Sequence, residues 1–194
     1  MKYLGVKLEN SLRWNENTSF ITGKASSRLG YILRTTPLLL PHLSDRAYKY
    51  LDRLVTEYCS TVWDRNLTAT QANSIEAIQR RAARLVNNIK RTDHVTSTTK
   101  LVEDLEWETL KARSEKRRLG LFRAMHFDEV AVSIIDHLSR HPTNIGQSRK
   151  HQLQYFIPHC NTKLHQNSFF IRTAKLWNAL PTGSPLLEGP PVAG

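Results

Sequence analysis

The chain has two cysteines in 194 residues, eight glycines, few acids for its bases and no long apolar run. Cys59 and Cys160 form neither a CxxC pair nor the framework of a small secreted domain, so redox chemistry and disulfide stapling drop out. The missing apolar run and a mean hydropathy of -0.45 exclude a membrane-spanning helix. No basic-then-apolar leader is visible at Met1, so the expected compartment is intracellular, in nucleus or cytoplasm.

Catalytic constellations are missing too. The adjacent acid pairs Glu103-Asp104 and Asp128-Glu129 lack a strand-turn-strand setting, and Glu103, Asp104, Glu106 and Glu108 read as solvent-facing helix acids. There is no GxSxG elbow, and Cys59 falls beside the inward side of a helix, where a free thiol acts as a small hydrophobe. His137 with His141, and His159, Cys160 and His165, match no zinc spacing. The segment "TGSPLLEGPPVAG" is no phosphate loop, because no strand leads into it. The chain is therefore expected to be no enzyme, with neither metal nor cofactor.

Positive charge is what the chain has in excess. Lys and Arg number 28 against 17 Asp and Glu, a net +11, which favours a polyanionic partner or is simply a basic surface.

The periodicity is mostly helical. "KYLGVKL" alternates with period two and predicts one short strand with no evident partner downstream. From about Thr18 the spacing of Phe20, Ile21, Ala25, Leu29, Ile32 and Leu33 predicts a helix up to the "TTP" stop at Thr36 and Pro37. A second is predicted from an N-cap at Ser44 to about Trp63, with Leu51, Leu54, Val55, Tyr58 and Val62 inward. A third spans about Thr70 to Lys90, with Ile75, Ile78, Ala82, Leu85, Val86 and Ile89 inward. Beyond the "RTDHVTSTT" loop come a short capped helix in "STTKLVEDL", a longer one from about Glu108 to Met125 and a further one over "VAVSIIDHL". "HPTNIGQSRKHQ" reads as loop, "LQYFI" as at most a short strand, and "FFIRTAKLWNAL" as a last helix capped by Asn167 or Ser168 and ended by Pro181. The Pro/Gly tail after it is expected to be disordered. The fold class is all-α: a multi-helix bundle with a short N-terminal strand and an irregular C-terminal region. Its expected parts are residues 1–14 (strand and connection), 15–92 (helical bundle), 93–140 (second helical segment), 141–181 (loop-rich, with the terminal helix) and 182–194 (tail).

Two basic helices carry the candidate site. At about 100° per residue, Arg80, Arg84 and Arg91 fall within about 40° of one another, opposite Ile78, Ala82, Leu85 and Ile89. Arg80, Arg81, Arg84, Lys90 and Arg91 have no acid among them, and guanidinium groups one turn apart can meet successive phosphates; a solvated basic face is the alternative. "KARSEKRRLGLFR" places Lys111, Arg113, Lys116, Arg117, Arg118 and Arg123 around a helix against Glu115 alone, so some stems must lie along apolar surface. Contacts from either helix would be to the backbone, hence sequence-independent. Trp14, Trp63, Trp107 and Trp177 lie near helix boundaries, where packing is a better use than base stacking.

"YLGV" followed by Trp14, "LG" at Leu29, "EYCSTVW" ending at Trp63, "IQRRAARLV" from Ile78, "LEWETLKAR" from Leu105 and "NSFFIRTAKLWNALP" from Asn167 to Pro181, in this order, resemble the C-terminal part of jockey-like non-LTR retrotransposon reverse transcriptases. The resemblance covers nearly all of the chain up to Pro181. It implies a thumb and post-thumb region that grips template-primer duplex, with RNA, DNA or their hybrid as partner. It also implies that the opening strand is left over from a palm domain, itself a possible partner, and that Met1 is an internal start or gene-model boundary. That family's aromatic-x-Asp-Asp turn and its endonuclease residues have no counterpart here, so no polymerase activity carries over. The resemblance places backbone contacts in the "QRRAAR" helix. A helical protein-interaction module and an expressed relic without function are the competing readings.

Overall fold

The computed structural model describes residues 1–11, 13–35, 40–64, 67–89, 97–140 and 153–189. The chain is all-α apart from one small hairpin, and it divides into two compact units, Met1–Ser114 and Glu115 onward. The dividing point falls within one helix.

In the first unit, β1 (Lys2–Tyr3) pairs antiparallel with β2 (Val6–Lys7), in register Lys2 to Lys7 and Tyr3 to Val6. The strand expected to lack a partner thus has one four residues on. Its two-residue turn takes positive φ at both Leu4 (43°) and Gly5 (83°), the geometry that matches strand twist and that glycine adopts without strain. The period-two reading of "KYLGVKL" had run straight through this turn. Tyr58 Oη donates to Leu4 O at 2.8 Å, and Asn17 Oδ1 accepts from Lys7 N at 3.0 Å, so the hairpin is tied to the helices behind it.

Helix α1 (Asn15–Thr35) buries Ile21, Ala25, Leu29 and Ile32, the expected stripe, while Phe20 is half-buried and Leu33 exposed. The expected stop at Thr36 and Pro37 lies outside the described residues. The predicted second helix is in fact interrupted. Helix α2 (Pro41–Ala47) runs through a π-helical turn (Tyr48–Asp52) into α3 (Arg53–Glu57), and left-handed Cys59 (φ 51°) separates α4 (Ser60–Trp63). The side facing the core carries Ser44, Tyr48, Asp52, Val55 and Thr56. Of the expected inward residues only Val55 is buried; Leu51, Leu54, Tyr58 and Val62 are exposed. On this face Tyr48 stacks on Trp107 and Thr56 donates back to Arg53 O, while Ser44 and Asp52 are buried without a side-chain hydrogen bond, a mixture that apolar periodicity does not register.

Helix α5 (Ala69–Val86) has a capping box: Thr68 Oγ1 accepts from Gln71 N at 3.2 Å and Gln71 Oε1 accepts from Thr68 N at 2.7 Å. Ile75, Ile78, Ala82, Leu85 and Val86 are buried as expected, and Ile89 is half-buried. Ser97 caps α6 (Thr98–Asp104). Trp107 then stacks on Tyr48 at 4.6 Å and donates from Nε1 to Asp45 at 3.0 Å, docking the connection that leads into α7 (Leu110–His126).

The second unit has its own core of Phe122, Met125, Ile134, Leu138, Tyr155, Ile171 and Trp177. The expected helix over "VAVSIIDHL" is absent: 130–138 is irregular, with bends and one turn in which Ile134 O accepts from His137 and Leu138 N. Its run of β-branched residues loses side-chain freedom in a helix, and alternate docking of Ile134 and Leu138 needs only that turn. "LQYFI" contributes one bridge, Tyr155 to Arg140, and the loop expected at 141–152 lies outside the described residues. Helices α8 (Lys163–Gln166) and α9 (Phe169–Asn178) follow, the latter starting after Ser168. The segment expected to be disordered is partly ordered: Pro185–Leu187 forms a 3₁₀ turn whose Leu186 and Leu187 pack on this core. Trp14, Trp63, Trp107 and Trp177 are all buried.

Candidate nucleic-acid interface

The basic residues part according to burial. On α5 the apolar positions hold one side against the core, which leaves Arg80, Arg81 and Arg84 on the opposite sector, Arg81 exposed and the other two half-buried. Arg80 Nη2 reaches its own helix at Asn73 O (3.4 Å), and Arg81 Nη1 reaches Ser26 Oγ on α1 (3.5 Å); both bonds are long, and both partners are neutral. Lys90 and Arg91 lie outside the described residues.

The α7 set is only partly available. Lys111 and Lys116 are exposed and Arg117 is half-buried. Arg113 and Arg118, expected to meet phosphate, are instead inside the protein, at 6% and 0% exposure. Arg113 Nε donates to Glu57 Oε1 at 2.5 Å and Nη2 to Gln79 Oε1 at 2.8 Å, and Nη1 donates to Glu108 O. Burial pulls the Arg113 guanidinium below its ordinary pKa, with Arg53 acting in the same direction. Arg118 Nη2 lies 3.9 Å from Glu115 Oε1, which is the same distance from Arg172 Nη2. Basic residues scattered around a helix cannot all face outward once both units bury part of it, and neither arginine can reach a polyanion without unpacking.

Another charge shapes the surroundings of α5. Asp52 is fully buried in the π-helical turn, and neither carboxylate oxygen has a hydrogen-bond partner. Burial pushes its pKa up to about 6 against the opposing pull of Arg28 and Arg81. Arg81 therefore balances an internal acid as well as presenting charge outward.

A cationic group absent from the sequence expectations lies on the hairpin and α1: the ammonium groups of Lys7, Lys2 and Lys24 stand 5.0, 5.6 and 5.9 Å from the centre of the Phe20 ring. The four-residue step from Phe20 to Lys24 was a readable signal; the hairpin that brings Lys2 and Lys7 to them was not.

Among the described residues no three His, Cys, Asp or Glu side chains come together as metal ligands, and no helix is long and apolar enough to cross a membrane. Fold and site together define a basic, all-α protein with a guanidinium face on one helix. No protein-family model, curated protein or solved structure matches the chain.

Proposed function

We propose that this chain is a non-catalytic, thumb-like piece of a non-LTR retrotransposon reverse transcriptase that holds template-primer nucleic acid without regard to sequence. The observation that carries this reading is the α5 face: Arg80, Arg81 and Arg84 share the sector turned away from the buried stripe, with no acid between them. Guanidinium groups spaced by one helical turn suit successive phosphates, which supply affinity but no base readout. Lys111, Lys116 and Arg117 add charge from α7, while Arg113 and Arg118 serve packing. RNA, DNA and their hybrid share the phosphate backbone, and a palm domain is the natural neighbour if the chain derives from a longer polymerase.

The test is the affinity of the chain for a random-sequence RNA–DNA hybrid across a salt series. Log affinity should fall linearly with log salt, and Arg80, Arg81 and Arg84 changed together to Ala should lower the slope by roughly one unit for each phosphate left without its guanidinium. An unchanged slope in the triple variant overturns the assignment.

One observation favours a second reading, a helical protein-interaction module. Tyr50, Leu51 and Leu54 on the π-turn and α3 are 71%, 51% and 60% exposed. Binding that survives high salt and is lost on Leu51→Asp with Leu54→Asp would favour it over the phosphate reading.

A further inference from the structure

Behind the hairpin lies a cleft of about 230 Å³, lined by Val6, Asn17, Phe20, Ile21, Lys24 and Val55 together with the Gly5–Tyr58 edge. Most of its wall is apolar. One lining residue differs: Asn17 is fully buried, its Oδ1 is taken by the Lys7 N–H, and its Nδ2 has no hydrogen-bond partner. A buried donor without an acceptor is costly, so an acceptor brought to Nδ2, which neighbouring side chains cover in this structure, gains most there. The bond from Lys7 fixes which end of the amide is open.

Lys24 is the one charged residue in the lining among the described residues. Lys2, Lys7 and Lys24 gather around Phe20, and none of them has an ion pair among the described residues. Pockets for drug-sized ligands run from about 300 to 1,000 Å³, so the occupant is smaller than these. Apolar walls, an open amide donor and unpaired ammonium groups describe a compact apolar body with an anionic acceptor head. We propose that the cleft binds a small aromatic carboxylate: the ring lies against Val6, Phe20 and Val55, and the carboxylate takes the Asn17 Nδ2 donor and the lysine charge. This site is separate from the α5 arginines, and its occupation does not require that the chain hold nucleic acid.

The probe is sodium 2-naphthoate titrated into the full chain labelled with nitrogen-15, read at the Asn17 side-chain amide. A saturable shift of that resonance is expected. Lys7→Ala with Lys24→Ala should weaken binding about tenfold, and the neutral 2-naphthamide should bind correspondingly less well. Lys24 is exposed and Lys7 half-buried, and neither has an ion pair among the described residues, so the fold should survive, and the same spectra report whether it has; Lys24→Ala alone gives a smaller loss if the double variant unfolds. An Asn17 resonance that stays still at millimolar probe overturns the site. Equal affinity for the amide and the carboxylate, or for wild type and the lysine variants, overturns the anionic class.

Discussion

Arg113 Nε and Glu57 Oε1 lie 2.5 Å apart, with both side chains almost wholly buried, so an ion pair fastens the first turns of α7 to the end of α3. Arg53 Nε shares the same carboxylate oxygen at 2.8 Å, and Gln79 holds the far side of the guanidinium. Removing Arg113 leaves Glu57 to Arg53 alone and takes the donors from Gln79 Oε1 and Glu108 O. Arg113→Ala is expected to cost about 2–3 kcal/mol in urea unfolding, whereas exposed Lys111→Ala should stay within about 0.5 kcal/mol. Replacing both partners, as in Arg113→Met with Glu57→Leu, should recover much of the loss. If Arg113→Ala unfolds like wild type, the ion pair is not structural.

The same variant separates packing from binding. Where Arg113→Ala remains folded, the salt slope of hybrid binding should be that of wild type, because the guanidinium is spent inside the protein. A lowered slope would return Arg113 to the interface.

Asp52 makes stability depend on pH in a stated direction. Its pKa in the folded chain is raised from 3.8 to about 6, so between these values the folded state holds a proton that the unfolded chain has released. The favourable contribution is whole below about pH 4 and disappears as pH rises through 6. Its size is on the order of 3 kcal/mol. Asp52→Asn should remove this part of the pH dependence and be more stable than wild type at pH 7.5. Parallel stability curves for the two proteins from pH 4 to 7.5 would contradict the burial of an unpaired carboxylate.

How legible the fold was in the sequence can be judged from particular helices. α5 was readable because its buried positions are Ile, Ala, Leu and Val at helical spacing, with Gln71 three residues after the Thr68 cap. The segment from Ser44 to Trp63 turns inward a face other than the one its apolar spacing predicts: its core side uses Ser44, Asp52, Thr56 and Glu57, of which Glu57 is held by Arg113 and Arg53 and Thr56 by its own helix, while Ser44 and Asp52 are buried without a side-chain hydrogen bond. The spacing places Arg80 and Arg84 away from the buried stripe of α5, where they lie, yet "KARSEKRR" gives no sign of which arginines turn inward. Such choices are made by partners distant in sequence: Glu57 is 56 residues from Arg113.

Gly5 tests the hairpin. Its φ of +83° disfavours any side chain, and a Cβ there would come within 3.3 Å of the Tyr58 ring. Gly5→Ala should therefore cost about 1 kcal/mol or more, chiefly through the turn. Tyr58→Phe removes the bond to Leu4 O but keeps the ring, so its loss should be smaller, about 0.5–1.5 kcal/mol. A neutral Gly5→Ala would mean that the turn relaxes without the positive φ.

Trp177 tests whether the second unit has a core of its own. The indole is fully buried, its Nε1 donates to Leu153 O at 2.6 Å, and its ring centre is 5.4 Å from that of Phe122 and 5.2 Å from that of His126. Trp177→Ala removes both packing and donor, for an expected loss of about 3–5 kcal/mol. The core residues of the two units do not overlap, so the loss should be local. Hydrogen exchange resolves this: amides of α9 should lose protection in the variant while those of α5 keep theirs. Trp177→Phe, which fills most of the space but cannot donate to Leu153 O, should fall between the variant and wild type. Equal loss of protection in α5 and α9 would mean that the chain unfolds as one cooperative body despite its two cores.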